Sequence, residues 1–181
     1  MREMLTDRGF HNVVMANDTP LANTFAEGGN LLTTSDGARV VIFVGKLGIK
    51  NIRDLEAEHI DRGDSHLIVL TTDKTTPPAQ KRLLEADCVA WCSVFRCDEV
   101  VRNVTRHKLV PRHTRVPEAD LPSLLRRWRE SDASHLPHIF INDPVARYLG
   151  LVEGDVVHIE GPDGTQAGHV AYRRAVAPVA A

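Results

Sequence analysis

The feature that most constrains the fold is a pair of continuous apolar runs in the first half of the chain. RVVIFVG occupies residues 39–45 and HLIVLTT occupies residues 66–72. Neither approaches the ~18 consecutive apolar residues that a membrane helix needs. Runs without polar alternation are typical of strands buried on both faces, as in a sheet covered by helices. A third apolar segment, CVAWCSVF at 88–95, is predicted to be another strand of the same kind.

Helical patterns separate these runs. NIRDLEAEHI follows the first run, with Ile52, Leu55 and Ile60 interpreted as one apolar stripe. TTPPAQKRLLEA follows the second, where Thr76 can cap a helix whose first position suits Pro77, since that N–H would be unpaired anyway. Alternation of strands and helices predicts an α/β fold.

The segments before the first run are less regular. REMLTDRGF predicts a short helix that ends near Gly9. Residues 11–38 carry the turn signals NDTP, EGGN and TSDG, and predict a loop-rich region with one short strand. The first predicted domain therefore covers residues 1–105.

The pattern changes in the second half of the chain. VPEADLPSLLRRWRE predicts a helix, LPHIFI a strand, and GDVVHIEG and AGHVAYRRAV two strands joined through PDGT. NDPVARYLG predicts a short helix with Asn142 or Asp143 as its cap, Pro144 just inside and Gly150 at its exit. The apolar face of the first of these helices is Leu121, Leu124, Leu125 and Trp128. These elements predict a small α+β domain over residues 108–181.

Between the two predicted domains lies a basic segment. No acidic residue stands between Glu99 and Glu118, and the formal net charge of the whole chain is only -2. The bases of this segment are Arg102, Arg106, Lys108, Arg112 and Arg115. Such a charge balance excludes a strongly basic nucleic-acid coat but not a local basic face. The segment is either a solvated connector or a phosphate track.

The cysteines and the first residues of the chain indicate the cellular compartment in which the protein is expected. Cys88, Cys92 and Cys97 are few and odd in number, which favours a reducing compartment over a disulfide framework. On a strand, Cys88 and Cys92 would lie roughly 13 Å apart, too far to share one zinc ion. We therefore expect buried structural cysteines, no metal and no cofactor. Without a signal peptide or a membrane span, the protein is expected to be soluble and intracellular.

A catalytic set is not apparent. Asp36 and Lys46 flank the first apolar run as in some metal-dependent nucleases, but Val44 stands where the second carboxylate would be required. No G-x-S-x-G nucleophile motif and no glycine-rich phosphate loop occur. The histidines at 66, 158 and 169 are expected at the rim or the surface of strands. A binding or assembly role is favoured, and a degenerate endonuclease-like DNA-binding protein is the alternative.

The segment from Leu136 to Val176 resembles the C-terminal assembly domain of the fifth subunit common to eukaryotic RNA polymerases I, II and III. An archaeal polymerase subunit is similar to this C-terminal part alone. The residues that carry the resemblance are Leu136, Pro137, Ile139, Asp143, Pro144, Val145, Ala146, Arg147, Tyr148, Gly150, Gly154, Gly168, Tyr172 and Arg173. HKLVPRH, which contains His113, is similar to the start of that domain.

The first half is similar to the jaw domain of the same family, which has an endonuclease-like mixed sheet. MLTDRGF, GIKNI and TTPPAQKRLLE carry this resemblance, and the last corresponds to a Thr-Pro-Ser-Ala element near downstream DNA. Here Pro78 replaces the Ser, which removes a hydroxyl and an N–H that could meet a phosphate. The first jaw helix and the stretch from Phe10 to Val40 are expected to be short for the family.

The resemblance implies a noncatalytic subunit of a DNA-directed RNA polymerase. Its partners would be the largest subunit, other core subunits and downstream double-stranded DNA, with no membrane. Implied DNA-proximal residues are Lys74, Thr76, Pro77, Pro78, Ala79 and Lys81. Implied subunit-interface residues are His113, Asp143, Pro144, Arg147, Tyr148, Tyr172 and Arg173. The expected location is the nucleus, or a viral factory or virion if a virus encodes the chain.

Overall fold

The computed structural model describes residues 1–15, 29–83, 85–130, 132–161 and 170–178. The chain divides into two compact units, an N-terminal unit of Met1–Arg102 and a C-terminal unit of Asn103–Ala181. The sequence prediction had put the boundary a few residues later, between 105 and 108. Within the described ranges, none of the helices has the length and apolar content of a membrane span.

The N-terminal unit contains a mixed five-stranded sheet in the order β1-β2-β3-β4-β5. Its strands are β1 Val14–Met15, β2 Gly29–Thr33, β3 Ala38–Phe43, β4 His66–Thr71 and β5 Cys92–Arg96. β1, β2 and β3 pair antiparallel, whereas β3, β4 and β5 pair parallel. The two apolar runs therefore form β3 and β4 at the centre of the sheet.

Helices supply the connections between the parallel strands. The described helices of this unit are α1 Arg2–Asp7, which precedes the sheet, and α2 Ile49–Arg62, α3 Pro77–Leu83 and α4 Ala86–Trp91. α2 links β3 to β4, and α3 and α4 link β4 to β5. Successive residues Val40, Val41 and Ile42 are all buried, as expected for a strand covered on both faces. The predicted α/β organisation is confirmed.

The third apolar segment was predicted wrongly in its first half. Residues 86–91 form α4, and only residues 92–96 form a strand. A short apolar run is compatible with either a buried helix or a buried strand, so periodicity cannot distinguish them. Since Cys92 closes the helix by donating its backbone N–H to the Cys88 carbonyl oxygen, the predicted separation of these two cysteines is also wrong.

The stripe predicted on α2 needs a second correction. Ile52 is buried and Leu55 packs against the same core, but the side chain of Ile60 is 70% exposed. Eight residues advance a helix by roughly 80° beyond two full turns, and Ile60 therefore leaves the buried face. Upstream, the structure has two short strands, β1 and β2, where one was predicted, while residues 16–28 lie outside the described residues.

The C-terminal unit is built on a four-stranded sheet in the order β6-β8-β9-β7. Its strands are β6 Arg112–Arg115, β7 His138–Phe140, β8 Val156–Glu160 and β9 Val170–Val176. Its helices are α5 Leu121–Trp128 and α6 Pro144–Leu149, with short 3₁₀ helices at Val104–Arg106, Glu118–Asp120 and Ala133–His135. β7 is parallel to β9, and the other pairs are antiparallel. The predicted PDGT turn, Gly168 and His169 lie outside the described residues.

α5 provides most of the apolar cover for one cluster of this unit. Leu121, Leu124 and Leu125 pack against a buried group made of Ala133, Leu136 and Val156. Trp128, predicted on the same face, remains 47% exposed. The apolar stripe of α5 thus runs past the end of its own core.

Candidate functional site

The residues predicted near DNA surround the start of α3 in the N-terminal unit. Lys74, Pro77, Pro78 and Lys81 are exposed. Ala79 is fully buried and belongs to the core cluster of the unit. The structure therefore leaves two lysines and two prolines at the surface, and directs Ala79 inward.

The backbone at this helix start has few donors to offer an anion. The Thr76 N–H donates to the Leu47 carbonyl oxygen at 3.0 Å, and the Gln80 N–H donates to the Thr76 carbonyl oxygen at 2.8 Å. Proline has no N–H, so positions 77 and 78 contribute none. Of the groups from 76 to 80, only the Ala79 N–H is left. Attraction for phosphate must then come from side chains.

A second loop lies beside this helix start and adds positive charge. The Gly45 N–H donates to Thr72 Oγ1 at 2.9 Å, which together with the Thr76–Leu47 bond holds residues 44–50 next to residues 72–76. Lys46 on this loop and Lys50, the second residue of α2, are exposed, and so is one acid on the other loop, Asp73. Sequence reasoning missed the pairing, although the carboxyl ends of adjacent parallel strands meet at one edge of a sheet and commonly form binding sites there.

The nuclease-like pair of residues does not form a site. Asp36 precedes β3 and Lys46 follows it, so the strand separates them by roughly 20 Å at ~3.3 Å per residue. The Asp36 carboxylate instead accepts the His11 backbone N–H at 2.6 Å, and this bond lowers the pKa of the carboxyl. Among the described residues, no three His, Cys, Asp or Glu side chains are grouped closely enough to hold a metal ion.

A polar cluster that the sequence did not predict joins α1 to the sheet. His66 Nε2 lies 3.1 Å from Arg8 Nη1 and 3.0 Å from Ser93 Oγ. Because arginine can only donate, Nε2 is the acceptor of a neutral imidazole. Burial first, and then the Arg8 charge, lower the pKa of His66 to about 4. His66 is half-buried at the first position of β4, which agrees with the expected rim position, and its contacts with Arg8 and Ser93 have a structural role.

The two core cysteines form a thiol pair. Cys88 and Cys92 are both buried, and a hydrogen bond between their side chains, with burial second, raises the pKa of the Cys92 thiol well above its usual value. Protonated thiols in an apolar core are poor nucleophiles and poor metal ligands.

In the C-terminal unit, the predicted short helix is confirmed. Asp143 caps α6 by accepting the Val145 N–H at 2.8 Å and the Ala146 N–H at 3.4 Å. Pro144 is exposed at the first position, and Gly150 closes the helix at a φ of +66°. Asp143 is therefore committed to its own helix.

Tyr148 and Arg147 have different surroundings. Tyr148 is only 6% exposed, and its hydroxyl accepts a hydrogen bond from Asn103 Nδ2 at 2.8 Å. It packs within its own unit rather than at the surface. Arg147 is half-buried at the neighbouring position.

The remaining predicted interface residues lie on the strands. His113 Nδ1 donates to the Pro111 carbonyl oxygen at 2.7 Å, which fixes the half-buried ring. Arg173 is exposed, and Tyr172 is half-buried. Neighbours on a strand point to opposite faces of the sheet, so Tyr172 and Arg173 cannot serve one flat contact.

Tyr172 lines an open groove of about 560 Å³ with Arg127, Trp128, His158 and Val170. We call it the aromatic groove. The Trp128 and Tyr172 rings meet edge to face with centroids 5.3 Å apart, and the His158 ring lies 5.0 Å from Tyr172 on β8. Of these five residues the sequence marked only Tyr172 as functional, because the contact depends on how α5 packs against β9.

Comparison with known proteins gives one matching family model and several similar proteins. Residues 102–175 match the family model described as RNA polymerase Rpb5, C-terminal domain. A Dictyostelium discoideum protein named DNA-directed RNA polymerases I, II, and III subunit rpabc1 is 34% identical over 133 residues, covering 72% of this chain and 67% of that protein. A Caenorhabditis elegans protein named DNA-directed RNA polymerases I, II, and III subunit RPABC1 is 34% identical over 131 residues, covering 72% of this chain and 62% of that protein.

A plant protein is similar over a shorter region. The Arabidopsis thaliana protein named DNA-directed RNA polymerase subunit 5-like protein 1 is 36% identical over 109 residues, covering 60% of this chain and 51% of that protein. The chain thus matches between about half and two thirds of the length of these relatives.

Proposed function

Because this chain belongs to the family of the subunit shared by DNA-directed RNA polymerases I, II and III, we propose that it acts in transcription as a noncatalytic polymerase subunit. The observation that carries the proposal is the family match over residues 102–175, which coincides with the compact C-terminal unit. The separation of Asp36 from Lys46 across β3 favours this function over the endonuclease-like alternative.

We propose that the C-terminal unit docks on the largest subunit of the polymerase and that other core subunits lie nearby. Pro144 and Arg173 are exposed and can reach a partner directly. Asp143 and Tyr148 support that surface from within, since one caps α6 and the other is buried beneath it. His113 contributes by fixing the course of the chain at β6.

The N-terminal unit would form the jaw, an endonuclease-like sheet beside downstream DNA. Lys74 and Lys81 are exposed, and two hydrogen bonds hold the loop with Lys46 and Lys50 next to Lys74. No described acid forms an ion pair with any of these four lysines. Contacts of this kind are made to phosphates, so the binding would be independent of base sequence and weakened by salt.

The proposed location follows from the proposed complex. Polymerases I, II and III transcribe nuclear DNA, and we place the chain in the nucleus, with a virus-encoded polymerase as the other setting. Neither setting changes which surfaces the chain would use.

Capture of the polymerase tests the docking. The full chain, carrying an affinity tag, is mixed with the recombinant largest subunit and recovered at 0.15 M salt. We expect stoichiometric co-purification that survives washing. Recovery of the chain without the largest subunit would contradict the docking, and circular dichroism of the same sample checks that the chain is folded.

A salt series tests the DNA contact. In a polymerase assembled with the chain, Lys74→Ala combined with Lys81→Ala should reduce the slope of log affinity for downstream duplex against log salt by about 2, because each lost phosphate contact removes ~0.9. Lys108→Ala is the matched control from the basic segment, since Lys108 is also exposed. If the control alone changes the slope, the basic segment is the phosphate track and the jaw proposal is wrong.

A further inference from the structure

We infer that the aromatic groove of the C-terminal unit receives an acidic segment of a partner protein, in which one large apolar side chain is flanked by carboxylates. The inference rests on the proposed docking of this unit and adds the surface and the chemistry of the partner. The groove is formed by residues of one unit only, from α5, β8 and β9.

The shape of the groove calls for an apolar anchor. α5 partly buries Leu121, Leu124 and Leu125 but leaves Trp128 47% exposed, and Val170 beside it is 39% exposed. This apolar surface directly continues the core of the unit. A volume of about 560 Å³ lies within the ~300–1,000 Å³ range of binding clefts and accommodates a side chain as large as Leu or Phe.

The polar atoms of the groove are mostly donors that are unused. The Arg127 guanidinium, the Trp128 indole N–H and the Tyr172 hydroxyl make no hydrogen bond with another described residue. Arginine and the indole can only donate. Two groups that can only donate and one hydroxyl, arranged around apolar side chains, are complementary to carboxylate or carbonyl oxygens.

The charge around the groove has the same sign. Arg126 and Arg129 are exposed on either side of Arg127 and Trp128, and neither makes an ion pair with a described residue. Glu130, which follows Arg129 in the chain, has its Oε2 3.0 Å from His135 Nδ1, and Glu160 has its Oε1 3.8 Å from His158 Nδ1. Three arginines within four positions, against two carboxylates that each lie within 4 Å of a histidine, favour an acidic partner. Such charge complementarity selects partners and speeds their association.

A nucleic acid would also meet arginine and aromatic side chains, but the ring geometry argues against it. Bases bind by stacking on exposed aromatic faces. Here the Trp128 and Tyr172 planes are inclined at 79°, and His158 lies close to the Tyr172 ring at an interplanar angle of 31°. These rings form a corner rather than a slot between parallel faces, which suits a branched or aromatic side chain of a peptide.

Peptide titration of the full chain tests the inference. The chain has two tryptophans, so Trp91→Phe leaves Trp128 as the only indole to report on the groove. The probes are three 12-residue peptides with one central Leu, flanked by Glu and Asp, by Gln and Asn, or by Lys, together with the oligonucleotide dT12. We expect saturable change of Trp128 fluorescence with the acidic peptide and binding at least about tenfold weaker for the amide peptide, because charge-assisted hydrogen bonds are about twice as strong as neutral ones.

Two matched variants locate the binding. Arg127→Glu should weaken the acidic peptide by about tenfold or more, whereas Arg126→Glu, on the same helix but outside the groove lining, should change it by less than about threefold. Equal binding of the acidic and amide peptides, equal effects of the two variants, or tighter binding of dT12 would each overturn the inference. Far-ultraviolet circular dichroism of both variants confirms folding, since both residues are exposed.

Capture of the largest subunit by the same variants separates this inference from the proposed function. If the unmodified chain and Arg126→Glu capture the largest subunit and Arg127→Glu does not, both stand. If all three capture it equally, the groove is not its docking site and the inference fails while the polymerase function stands. If none captures it but the acidic peptide binds the groove as expected, the polymerase docking fails and the groove remains an acidic-peptide site.

Discussion

Each of the two units consists of a mixed sheet and a few helices, but the N-terminal unit has more fully buried large side chains. Of the twelve largest fully buried side chains among the described residues, ten lie in the N-terminal unit and two, Leu151 and Val157, lie in the C-terminal unit. Small domains bury a smaller share of their surface and have less hydrophobic stabilisation to spare. The C-terminal unit leaves Trp128 and Val170 open, which is the surface that we assign to a partner.

The polar interactions differ in the same direction. In the N-terminal unit, the Arg39 guanidinium is buried at 3% exposure between Glu58 Oε1 at 2.7 Å and Asp64 Oδ2 at 2.8 Å. In the C-terminal unit, the Asp143 cap acts within its own helix, and the Asn103 amide donates to the Tyr148 hydroxyl across 45 positions of the chain. The comparison teaches that the N-terminal unit has the deeper core, so a single hydrogen bond should weigh more in the stability of the C-terminal unit. Each unit contains one tryptophan, which allows them to be followed separately.

The largest expected effect is truncation of the deep core. Leu67→Ala removes a fully buried side chain from β4 and should destabilise the N-terminal unit by about 3–5 kcal/mol, the usual cost of a large core cavity. Urea unfolding followed by Trp91 fluorescence, in a Trp128→Phe background, measures the change. Ile60→Ala is the control in the same unit, because a residue that is 70% exposed should cost less than about 0.5 kcal/mol. An equal loss of unfolding free energy in both variants would contradict the deep core that we assign to the N-terminal unit.

The second effect is a pH dependence confined to the N-terminal unit. Its cause is His66, whose pKa of about 4 in the folded state lies below its ordinary value of 6.5. Below pH 6.5 the imidazole is protonated in the unfolded chain, whereas in the folded unit it stays neutral until about pH 4. The contribution of His66 to the free energy of unfolding is therefore fully present above pH 6.5 and is lost as the pH falls. Between pH 6.5 and 4.5 the loss should be about 2–3 kcal/mol, at 1.36 kcal/mol per pH unit.

His66→Gln provides the control for that window. Glutamine cannot be protonated there, so the Trp91 unfolding free energy of the variant should be nearly flat between pH 4.5 and 6.5. A slope as steep as that of the unmodified chain would assign the dependence to other groups. The carboxyls with lowered pKa, such as Glu58, lose their contribution at lower pH, below their ordinary value of 4.5.

A smaller effect is expected from the cap of α6. Asp143→Ala leaves two backbone N–H groups without their acceptor and should destabilise the C-terminal unit by about 1–2 kcal/mol. Trp128 fluorescence in a Trp91→Phe background measures it. Asp143→Asn retains an acceptor oxygen and should recover most of the loss. If both variants behave like the unmodified chain, local capping does not hold this unit together.

The smallest effect sharpens the role of Tyr148. Tyr148→Phe removes the acceptor of the Asn103 amide and should cost about 1 kcal/mol in the C-terminal unit. Capture of the largest subunit should be unchanged, since the side chain is only 6% exposed. Loss of capture without loss of stability would show that the hydroxyl reaches a partner, contrary to its buried position.

Much of this molecule follows from local pattern. The apolar runs predicted β3 and β4, because few residue types suit a strand that is buried on both faces. Pro77, which lacks an N–H, predicted the start of α3. Asp143 and Gly150 predicted the two ends of α6, the second because a positive φ favours glycine. The same reasoning failed at residues 88–91. A short apolar run satisfies a helix as readily as a strand, and only the neighbouring elements decide between them.

The sequence by itself determined the family through the segment from Leu136 to Tyr172, together with the two-part organisation and the class of each half. The tertiary structure alone decided which marked residues are available. Ala79 and Tyr148 face inward, and His66 lies in a half-buried cluster with Arg8. It also brought Trp128 on α5 against Tyr172 on β9. The physical reason is that propensities and caps act over a few residues, whereas burial and grooves arise where elements distant in sequence pack together.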